Sequence, residues 1–442
     1  MSETEIKPMC IVRAPCQTRS GYGDMSRDII RHLIEYDKFD VRVHSVNWGD
    51  TPMNALDEND PKDKMILDRI IREAIDKQPE LFISITVPDE FQAHGKFNIG
   101  ITAGIETTAA SAKWIEGCNR MDVVFTISEH SKKVFEISKY SFGQQGQAQK
   151  VLELQKPIEV LHNCIDTKVF GKNAPVDLDF AKKLDEIPES FCFAFVGHWL
   201  RGDYGEDRKN VGMMIKLFLE TFRQVQTKTP VALILKTSSA GFSILDREEI
   251  LNKIEQIKST VKLESGQKMP AVYLLHGELT EKEMNTLYNH PKVKAHISLT
   301  KGEGFGRPLL EASVSGKPVL ASGWSGHLDF LDKDRALLIG GELKNVHPSA
   351  AWEGVLMQEA SWFAPDAKDA MNAMAAAVLN YSEFKNKAYD LALSNRKRFS
   401  YEEIRKKTFE LLDKHVPEFP KQVQMVLPKL KKVELPKLTK VE

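Results

Sequence analysis

Lys301-Gly302-Glu303-Gly304-Phe305-Gly306-Arg307-Pro308-Leu309-Leu310-Glu311-Ala312-Ser313 is the stretch of sequence that decides the fold. An apolar segment that favours a strand, Ala295–Leu299, precedes it, and a second one, Pro318–Ala321, follows Gly316. Strand, glycine-rich turn, short helix and strand make a βαβ unit, with the turn at the carboxyl end of its first strand. Open α/β sheets bind ligands at that edge, so the stretch predicts a ligand site.

The residue types in the turn indicate which ligand it would suit. Backbone N–H groups at a helix start favour an anion, and Glu303 and Glu311 add acceptors for sugar hydroxyls. A bare phosphate site would place a lysine next to a serine or threonine. The pattern therefore favours a nucleotide sugar. The alternative is that Gly304 and Gly306 only shape a tight turn.

Length and composition set the broad class of protein. The 442 residues suffice for two domains with full cores, and 61 basic against 62 acidic residues give a net charge of −1. Such balance provides no field that would draw the whole molecule to nucleic acid or an anionic membrane. The five scattered cysteines indicate reduced, buried thiols. No apolar run reaches the roughly 20 residues of a membrane span, so we expect a cytoplasmic protein.

Strand and helix patterns alternate along the chain, which predicts an α/β fold with parallel sheets. The first half has predicted strands at Cys10–Ala14, Val41–Val46, Leu81–Ile85, Phe97–Ile101, Val123–Ile127 and Pro157–Leu161, with helices at Asp24–Tyr36, Met65–Ile75 and Ser131–Ile137. The second half has predicted strands at Phe191–Gly197, Val231–Leu235 and Val272–Leu275, with helices at Asn210–Gln224, Leu245–Val261, Ala367–Asn380 and Tyr401–Lys414.

The string Glu-Gly-Phe-Gly-x-Pro-x-x-Glu-Ala at 303–312, followed by Gly-Lys-Pro-Val at 316–319, resembles the Glu-x7-Glu signature of retaining GT-B glycosyltransferases of family 4. The resemblance implies two Rossmann-like domains with parallel sheets that face each other across a cleft. It implies an acceptor-side domain at 1–170, a nucleotide-sugar-binding domain at 171–400, and a last helix at 401–415 that crosses back to the first domain. It also implies a hexosyl- or pentosyltransferase that retains anomeric configuration and needs no metal or other cofactor besides its nucleotide-diphosphate sugar.

The resemblance assigns roles to residues of the second half. Arg208 and Lys209, just before a predicted helix, would hold the donor diphosphate, with Lys209 also counted as catalytic. The family's usual Gly-Arg is replaced here by Gly197-His198, and the loop Trp199–Asp207 is longer than usual.

The signature stretch receives further roles from the same resemblance. Glu303 would act at the donor sugar, and Glu311 would accept the ribose hydroxyls. The backbone amides of Gly304, Phe305 and Gly306 would meet diphosphate or sugar oxygens.

Two motifs of the first half are further candidates. Gly21-Tyr22-Gly23 follows the first predicted strand; the resemblance gives this turn a contact with donor phosphate or acceptor, and a plain turn is the alternative. Glu106 falls where many family members place a histidine near the sugar, so it is expected to bind sugar or acceptor and to be catalytic. Its alternative is a helix N-cap box built on Thr107 or Thr108.

Four other features receive weaker assignments. Lys236 ends a predicted strand and would line the donor site, while the loop 276–279 would pack near the base. His162 and Asn163 resemble the hinge between domains. Asp177-Leu178-Asp179 has the spacing of a metal-binding pair, but it lies in a linker and is interpreted as surface charge.

The tail, 416–442, contains an eight-residue repeat, Leu427–Glu434 and Leu435–Glu442. Its Pro, Lys and Glu content favours disorder; the alternative is a segment that docks a partner or a surface.

Three other functions stay open. The first is a GT-B-like binding or scaffolding protein with weak catalysis, motivated by His198, the long loop and the tail. The others are a transferase that modifies nucleic-acid bases, and a GT-B phosphorylase or epimerase. Neither the acceptor, nor the base and sugar of the donor, nor the oligomeric state follows from the sequence.

Overall fold

The computed structural model describes residues 5–143, 150–225, 227, 230–239, 243–420 and 422–423. Its two largest sheets each contain six strands, and every pairing within them is parallel. Helices connect most of the consecutive strands. The fold is therefore α/β with two Rossmann-like domains, as the sequence predicted.

The first domain is built on a sheet with strand order β3-β2-β4-β5-β6-β9. In chain order the elements of this half are β1 (Glu5–Ile6), β2 (Met9–Ala14), α1 (Gly21–Tyr36), β3 (Asp40–Ser45), α2 (Pro61–Leu67), β4 (Leu81–Ile85), β5 (Phe97–Thr102), α3 (Ala112–Asn119), β6 (Val123–Thr126), α4 (Glu129–Ile137), β7 (Tyr140–Phe142), β8 (Lys150–Leu152) and β9 (Ile158–Val160). All five residues of β4 are buried, which explains why this strand is a continuous apolar run without alternation.

The second domain is built on a sheet with strand order β12-β11-β10-β13-β14-β15. Its elements are α5 (Leu178–Asp185), β10 (Phe191–Val196), α6 (Val211–Gln224), β11 (Val231–Lys236), α7 (Ile244–Ser259), β12 (Ala271–Leu275), α8 (Glu281–Asn289), β13 (Val293–Ser298), α9 (Arg307–Ser313), β14 (Val319–Ser322), β15 (Leu337–Ile339), β16 (Gly341–Asn345), β17 (Ser361–Pro365), α10 (Ala367–Leu379), α11 (Tyr381–Arg398), α12 (Tyr401–His415) and β18 (Gln422–Val423). Short 3-10 helices occur at Pro88–Glu90 and Gly326–Asp329.

One apolar cluster joins the two domains. It runs from Leu33 of α1 to Leu310 of α9 and Leu411 of α12, all of them fully or almost fully buried. Helix α12 lies against α1, where His32 Nδ1 and Thr408 Oγ1 are 3.0 Å apart. The last helix is thus packed on the first domain by a shared core and by a buried polar contact.

The predicted helix Met65–Ile75 is wrong in its position. Helix α2 begins earlier, because Asp60 accepts the Lys62 N–H and Pro61 occupies the first turn, and it ends at Leu67. Ile70 then forms a parallel bridge with Val43 of β3. Pairing with a neighbouring strand therefore overrides the helical pattern beyond Leu67.

Several elements have no counterpart in the sequence prediction. Helices α5, α8 and α11 are among them, as is the antiparallel hairpin β16–β17. This hairpin reaches the first domain, where the Thr108 N–H donates to Ser361 O and the Ser361 N–H donates to Thr108 Oγ1, each at 2.9 Å.

Two global expectations, on the cysteines and on membrane spans, can be compared with the described residues. All five cysteines are buried and none forms a disulfide. Within the part of the chain that the structure describes, no helix is long and apolar enough to cross a membrane. The repeat Leu427–Glu442 lies outside the described residues, and the domain boundaries at 170 and 400 stay predictions.

Candidate functional site

Two loops from neighbouring strands form the centre of the candidate site. Strands β10 and β13 are adjacent and parallel, so the loop 197–210 and the loop 299–306 leave the same edge of the sheet. The Lys301 N–H donates to Arg208 O at 2.7 Å, which ties the two loops together. The edge at which the sequence predicted a ligand site is the edge where both loops meet.

Four charged side chains meet between these loops; we call Glu106, Arg208, Lys209 and Glu303 the charge centre. Lys209 Nζ lies 2.5 Å from Glu303 Oε1, and Arg208 Nη1 lies 3.4 Å from Glu303 Oε2. Arg208 Nη2 lies 3.4 Å from Glu106 Oε1, which comes from the loop after β5 of the first domain. The structure thus brings together all three residues predicted to be catalytic, Glu106, Lys209 and Glu303.

Glu303 is the buried member of the charge centre, and the two cations beside it determine its protonation. Burial opposes ionisation of Glu303, but the charges of Lys209 and Arg208 outweigh it and lower the pKa of Glu303 to about 2. Burial also lowers the pKa of Lys209, an effect that the Glu303 carboxylate opposes. Glu303 is therefore a carboxylate at neutral pH, held between two cations.

Two glycines of the signature allow the domains to touch at backbone distance. A Cβ atom on Gly302 would lie 1.9 Å from Glu106 O, and one on Gly304 would lie 2.2 Å from Ala103 O. Any side chain here would push the two loops apart. The glycines therefore do more than shape a turn: they bring the first domain against the charge centre.

The remaining residues of the turn have distinct places. Gly306 adopts φ 90° at the start of α9, a conformation that favours glycine. The Phe305 side chain is buried, with its ring centroid 5.0 Å from that of Phe330 and 5.8 Å from that of His162. Its side chain belongs to the core, so only its backbone can serve the predicted donor contact.

Glu311 lies about one turn into α9 and is held from two sides. Arg307 Nε lies 3.1 Å from Glu311 Oε1, and the Tyr288 hydroxyl donates to Oε2 at 3.0 Å. Burial raises the pKa of Glu311 to about 7, even though Arg307 opposes this. Each carboxylate oxygen keeps a second lone pair, so the predicted ribose contact is chemically available and stays a prediction.

Arg307 also connects α9 to the first domain. Its Nη1 lies 3.5 Å from Asp24 Oδ2 and 3.7 Å from Asp28 Oδ2, both on α1. Its guanidinium is thus shared between the signature helix and the opposite domain.

Gly21, Tyr22 and Gly23 do not form the predicted turn. They are the first residues of α1, because Ser20 is the N-cap and its hydroxyl accepts the Gly23 N–H at 3.0 Å. The Tyr22 hydroxyl lies 3.0 Å from Thr102 Oγ1 and accepts the Ala103 N–H at 3.1 Å. Tyr22 therefore supports the loop that faces Gly304, and a donor contact at 21–23 stays a prediction.

A second polar group lies at the same edge, beyond β10. His198 Nδ1 lies 3.2 Å from Oγ of Ser238, which follows β11. Nε2 of His276, which follows β12, lies 2.6 Å from Oδ2 of Asp246 in α7. Lys236 is half-buried there; burial lowers its pKa and Glu278 opposes this. These groups follow β10, β11 and β12 at one edge of the sheet, and the donor-site role of Lys236 and of the loop 276–279 stays a prediction.

Residues of two further motifs cap or flank helices. The N-cap of α3 is Ser111, so the reading of Thr107 or Thr108 as a capping box is wrong. Asp177 caps α5 and accepts the Phe180 N–H at 2.9 Å, while Asp179 pairs with Lys182 on the surface. Among the described residues, no cluster of three metal-ligating side chains is found.

Sequence reasoning missed three groups around the charge centre. Lys301 Nζ lies 2.6 Å from Glu206 Oε2 and 4.6 Å from the centre of the Trp362 ring. The Glu303 N–H donates to Ser325 Oγ at 2.9 Å. His162 Nε2 lies 2.9 Å from Asp329 Oδ2, which joins the predicted hinge to the second domain. Lys301 lies in the signature stretch and His162 in the predicted hinge, but neither their pairing nor the contacts of Ser325 and Asp329 could be found from the sequence pattern.

Comparison with known proteins supports the fold. No family model and no curated protein matches the chain. The solved structure of HepE from Anabaena with UDP and glucose shares 12% identity over 92% of this chain and 100% of its own, with a TM-score of 0.57. Sucrose-phosphate synthase from Thermosynechococcus elongatus shares 14% over 92% and 98%, with a TM-score of 0.56. A glycosyltransferase from Rickettsia africae shares 10% over 93% and 99%, with a TM-score of 0.57. The chain therefore has the GT-B fold.

Proposed function

We propose that this protein is a glycosyltransferase that takes a sugar from a nucleotide-diphosphate sugar. The charge centre is the observation that carries the proposal: Arg208 and Lys209 lie beside Glu303 at the ligand-binding edge of the second sheet. A diphosphate needs fixed cations, and the hydroxyls of a sugar need a carboxylate acceptor close by. The HepE structure contains UDP and glucose, which makes a UDP-sugar the first donor to test.

The charges of the site suggest how a donor would be held. Arg208 and Lys209 are balanced here by Glu303 and Glu106. A donor diphosphate would compete for the two cations and would release Glu303 to accept hydrogen bonds from the sugar. Glu311 would accept the ribose hydroxyls, with Arg307 and Tyr288 holding it from behind.

The reaction follows from the same groups. As the bond between the anomeric carbon and the phosphate oxygen breaks, negative charge grows on the diphosphate, and Arg208 and Lys209 stabilise it. Because these two side chains supply positive charge, we propose a metal-independent reaction. The resemblance of Glu303-x7-Glu311 to family 4 supports retention of configuration. The acceptor oxygen would then bond to the anomeric carbon and give its proton to the departing phosphate.

Water is the competing acceptor, and the contact between the domains would limit it. The backbone approaches of Gly302 to Glu106 and of Gly304 to Ala103 leave no room for a side chain between the loops. Glu106 comes from the first domain, so it would be the carboxylate nearest to the acceptor side. A closed contact of this kind would protect the donor from hydrolysis.

A donor screen tests the proposal. Thermal unfolding with UDP-, GDP-, ADP- and CDP-glucose should show one clear shift, because a ligand at 100 times its Kd stabilises by about 2.7 kcal/mol. Release of the nucleoside diphosphate then measures turnover. Lys209→Met should abolish that release, whereas Lys216→Met, on the outer part of α6, should leave it unchanged. Full turnover in Lys209→Met would contradict the proposal.

A binding protein with weak catalysis is the second candidate. One observation favours it: both proposed diphosphate ligands are already paired with carboxylates. Such a protein would show the thermal shift with a nucleotide sugar but no release of nucleoside diphosphate, which separates it from an enzyme.

A further inference from the structure

Ser325 has an unusual backbone conformation next to the charge centre. It lies between β14 and the 3-10 helix Gly326–Asp329, with φ 83° and ψ −163°, and it is 5% exposed. Residues with side chains rarely adopt this region, which is essentially reserved for glycine. Glycines are present nearby at 323 and 326, yet the strained position itself carries a serine.

The surroundings of Ser325 fix this conformation. The Gly326 N–H donates to Glu303 O at 3.0 Å, and a Cβ atom on Gly326 would lie 2.0 Å from Gly304 O. On the other side, the Trp324 ring lies 4.6 Å from that of His130 and stacks on Phe363 at 6.3 Å. The turn is therefore held between the signature loop and two aromatic contacts, and it cannot relax without moving one of them.

The serine hydroxyl makes a contact that glycine could not make. Ser325 Oγ accepts the backbone N–H of Glu303 at 2.9 Å, and the carboxylate of the same residue contacts Lys209 and Arg208. The Glu303 backbone is held on both sides by hydrogen bonds. Its N–H donates to Ser325 Oγ, and its carbonyl oxygen accepts the Gly326 N–H. The direction in which the Glu303 side chain leaves the loop depends on this backbone.

We propose that Ser325 is a positioning residue, whose hydroxyl holds Glu303 in the orientation needed for sugar transfer. This role rests on the proposed function. The unfavourable backbone conformation is retained because a serine, and not a glycine, supplies the acceptor for the Glu303 N–H. Ser325 acts through Glu303 and need not touch the substrate.

Two variants separate the backbone conformation from the hydroxyl. Ser325→Ala removes the hydroxyl and keeps a Cβ in the unfavourable region, whereas Ser325→Gly removes both. We expect Ser325→Gly to unfold at a higher temperature than Ser325→Ala. This order reverses the usual one, in which alanine is the more stabilising residue. It needs no donor, so it reports on the strain even if the proposed function fails.

Turnover then reports on positioning. With the donor found in the screen, release of nucleoside diphosphate should fall about tenfold in kcat for both variants, while the donor KM changes by less than about threefold. The matched control is Asp37→Gly, which replaces another non-glycine residue of positive φ, 57°, at the end of α1. It should leave both kcat and KM unchanged.

Three results would overturn the proposal. A kcat equal to that of the wild type in both variants would make Ser325 purely structural. A rise in donor KM with kcat unchanged would make it a binding residue. A wild-type protein that releases no nucleoside diphosphate from any donor would remove the proposed function together with this role, whatever the order of the unfolding temperatures.

Discussion

Lys209 Nζ lies 2.5 Å from Glu303 Oε1, although 94 positions of the sequence separate the two residues. The contact exists because β10 and β13 are neighbours in the sheet and their loops leave the same edge. Both side chains are about nine-tenths buried, so neither charge is well compensated by water. The ionic contact therefore couples the stability of the second domain to the chemistry proposed for the site.

Replacing Lys209 by methionine should destabilise the protein by about 3 kcal/mol, because the buried Glu303 loses one of its two cations. Adding Glu303→Gln should restore most of this loss, since the remaining carboxamide carries no charge. Urea unfolding of the single and double variants gives the coupling energy. A coupling below about 0.5 kcal/mol would show that the two side chains act independently.

A methyl group on Gly302 should separate the two loops that meet between the domains. Its Cβ would lie 1.9 Å from Glu106 O, so we expect Gly302→Ala to cost at least about 2 kcal/mol and to increase the radius of gyration. Small-angle scattering and urea unfolding measure the two effects. The control is Gly21→Ala, where the added atom meets nothing within 4 Å. Equal behaviour of the two variants would refute the close contact.

The pH dependence of stability should reveal Glu311. Its pKa of about 7 in the fold exceeds the ordinary value of 4.5 for a glutamate side chain, so the folded state binds the proton more tightly than the unfolded state. The stabilisation of the fold by protonated Glu311 is complete below about pH 4.5 and is lost as the pH rises through 7. Relative to Glu311→Gln, the wild type should lose on the order of 3 kcal/mol between pH 4.5 and 8. Unfolding curves across this range check the slope, and parallel curves for the two proteins would contradict the raised pKa.

The contact between α12 and α1 should also contribute measurably. Thr408→Val removes the hydroxyl that lies 3.0 Å from His32 Nδ1. Because burial lowers the pKa of His32 to about 3, the imidazole ring stays neutral and needs a neutral hydrogen-bond partner. We expect a loss of about 1–3 kcal/mol, because the buried imidazole nitrogen is left without a hydrogen bond. The exposed neighbour Lys407→Ala should change stability by less than about 0.5 kcal/mol. A similar loss in both variants would count against the buried contact.

The sequence allowed much of the architecture to be predicted, for a physical reason. Strands buried on both faces must be apolar throughout, so runs such as Leu81–Ile85 and Phe191–Val196 stand out from their surroundings. The helix predicted at Met65–Ile75 was misplaced because Ile70 pairs with Val43, a contact that local pattern does not contain. The turn predicted at Gly21–Gly23 was wrong because the Ser20 hydroxyl caps a helix that begins at Gly21.

Residues of the candidate site could be predicted where they lie within one sequence motif. Their hydrogen-bond partners could not be predicted, because these come from distant segments of the chain. Glu303 and Glu311 belong to one loop and its helix, and Arg208-Lys209 precedes a recognisable helix, so these residues could be named. Tyr288 and Ser325 became visible only as partners of Glu311 and Glu303. Their side chains have no distinctive spacing, since a hydrogen-bond partner can come from any part of the chain that the fold brings close.

The sequence by itself determined the βαβ unit, the edge of the sheet that carries the candidate site, and the residue types that could hold a nucleotide sugar. These features depend on local periodicity, on glycine and proline, and on charges within a short segment. Only the tertiary structure decided that Lys209 and Arg208 face Glu303. It also decided that Glu106 reaches Arg208 from the other domain. Gly302 and Gly304 are needed for that approach of the two domains. The contacts with Glu303 depend on β10 and β13 being neighbours in one sheet. The contacts of Glu106, Gly302 and Gly304 depend on how the two sheets are placed relative to each other, and a core shared among distant segments fixes that placement.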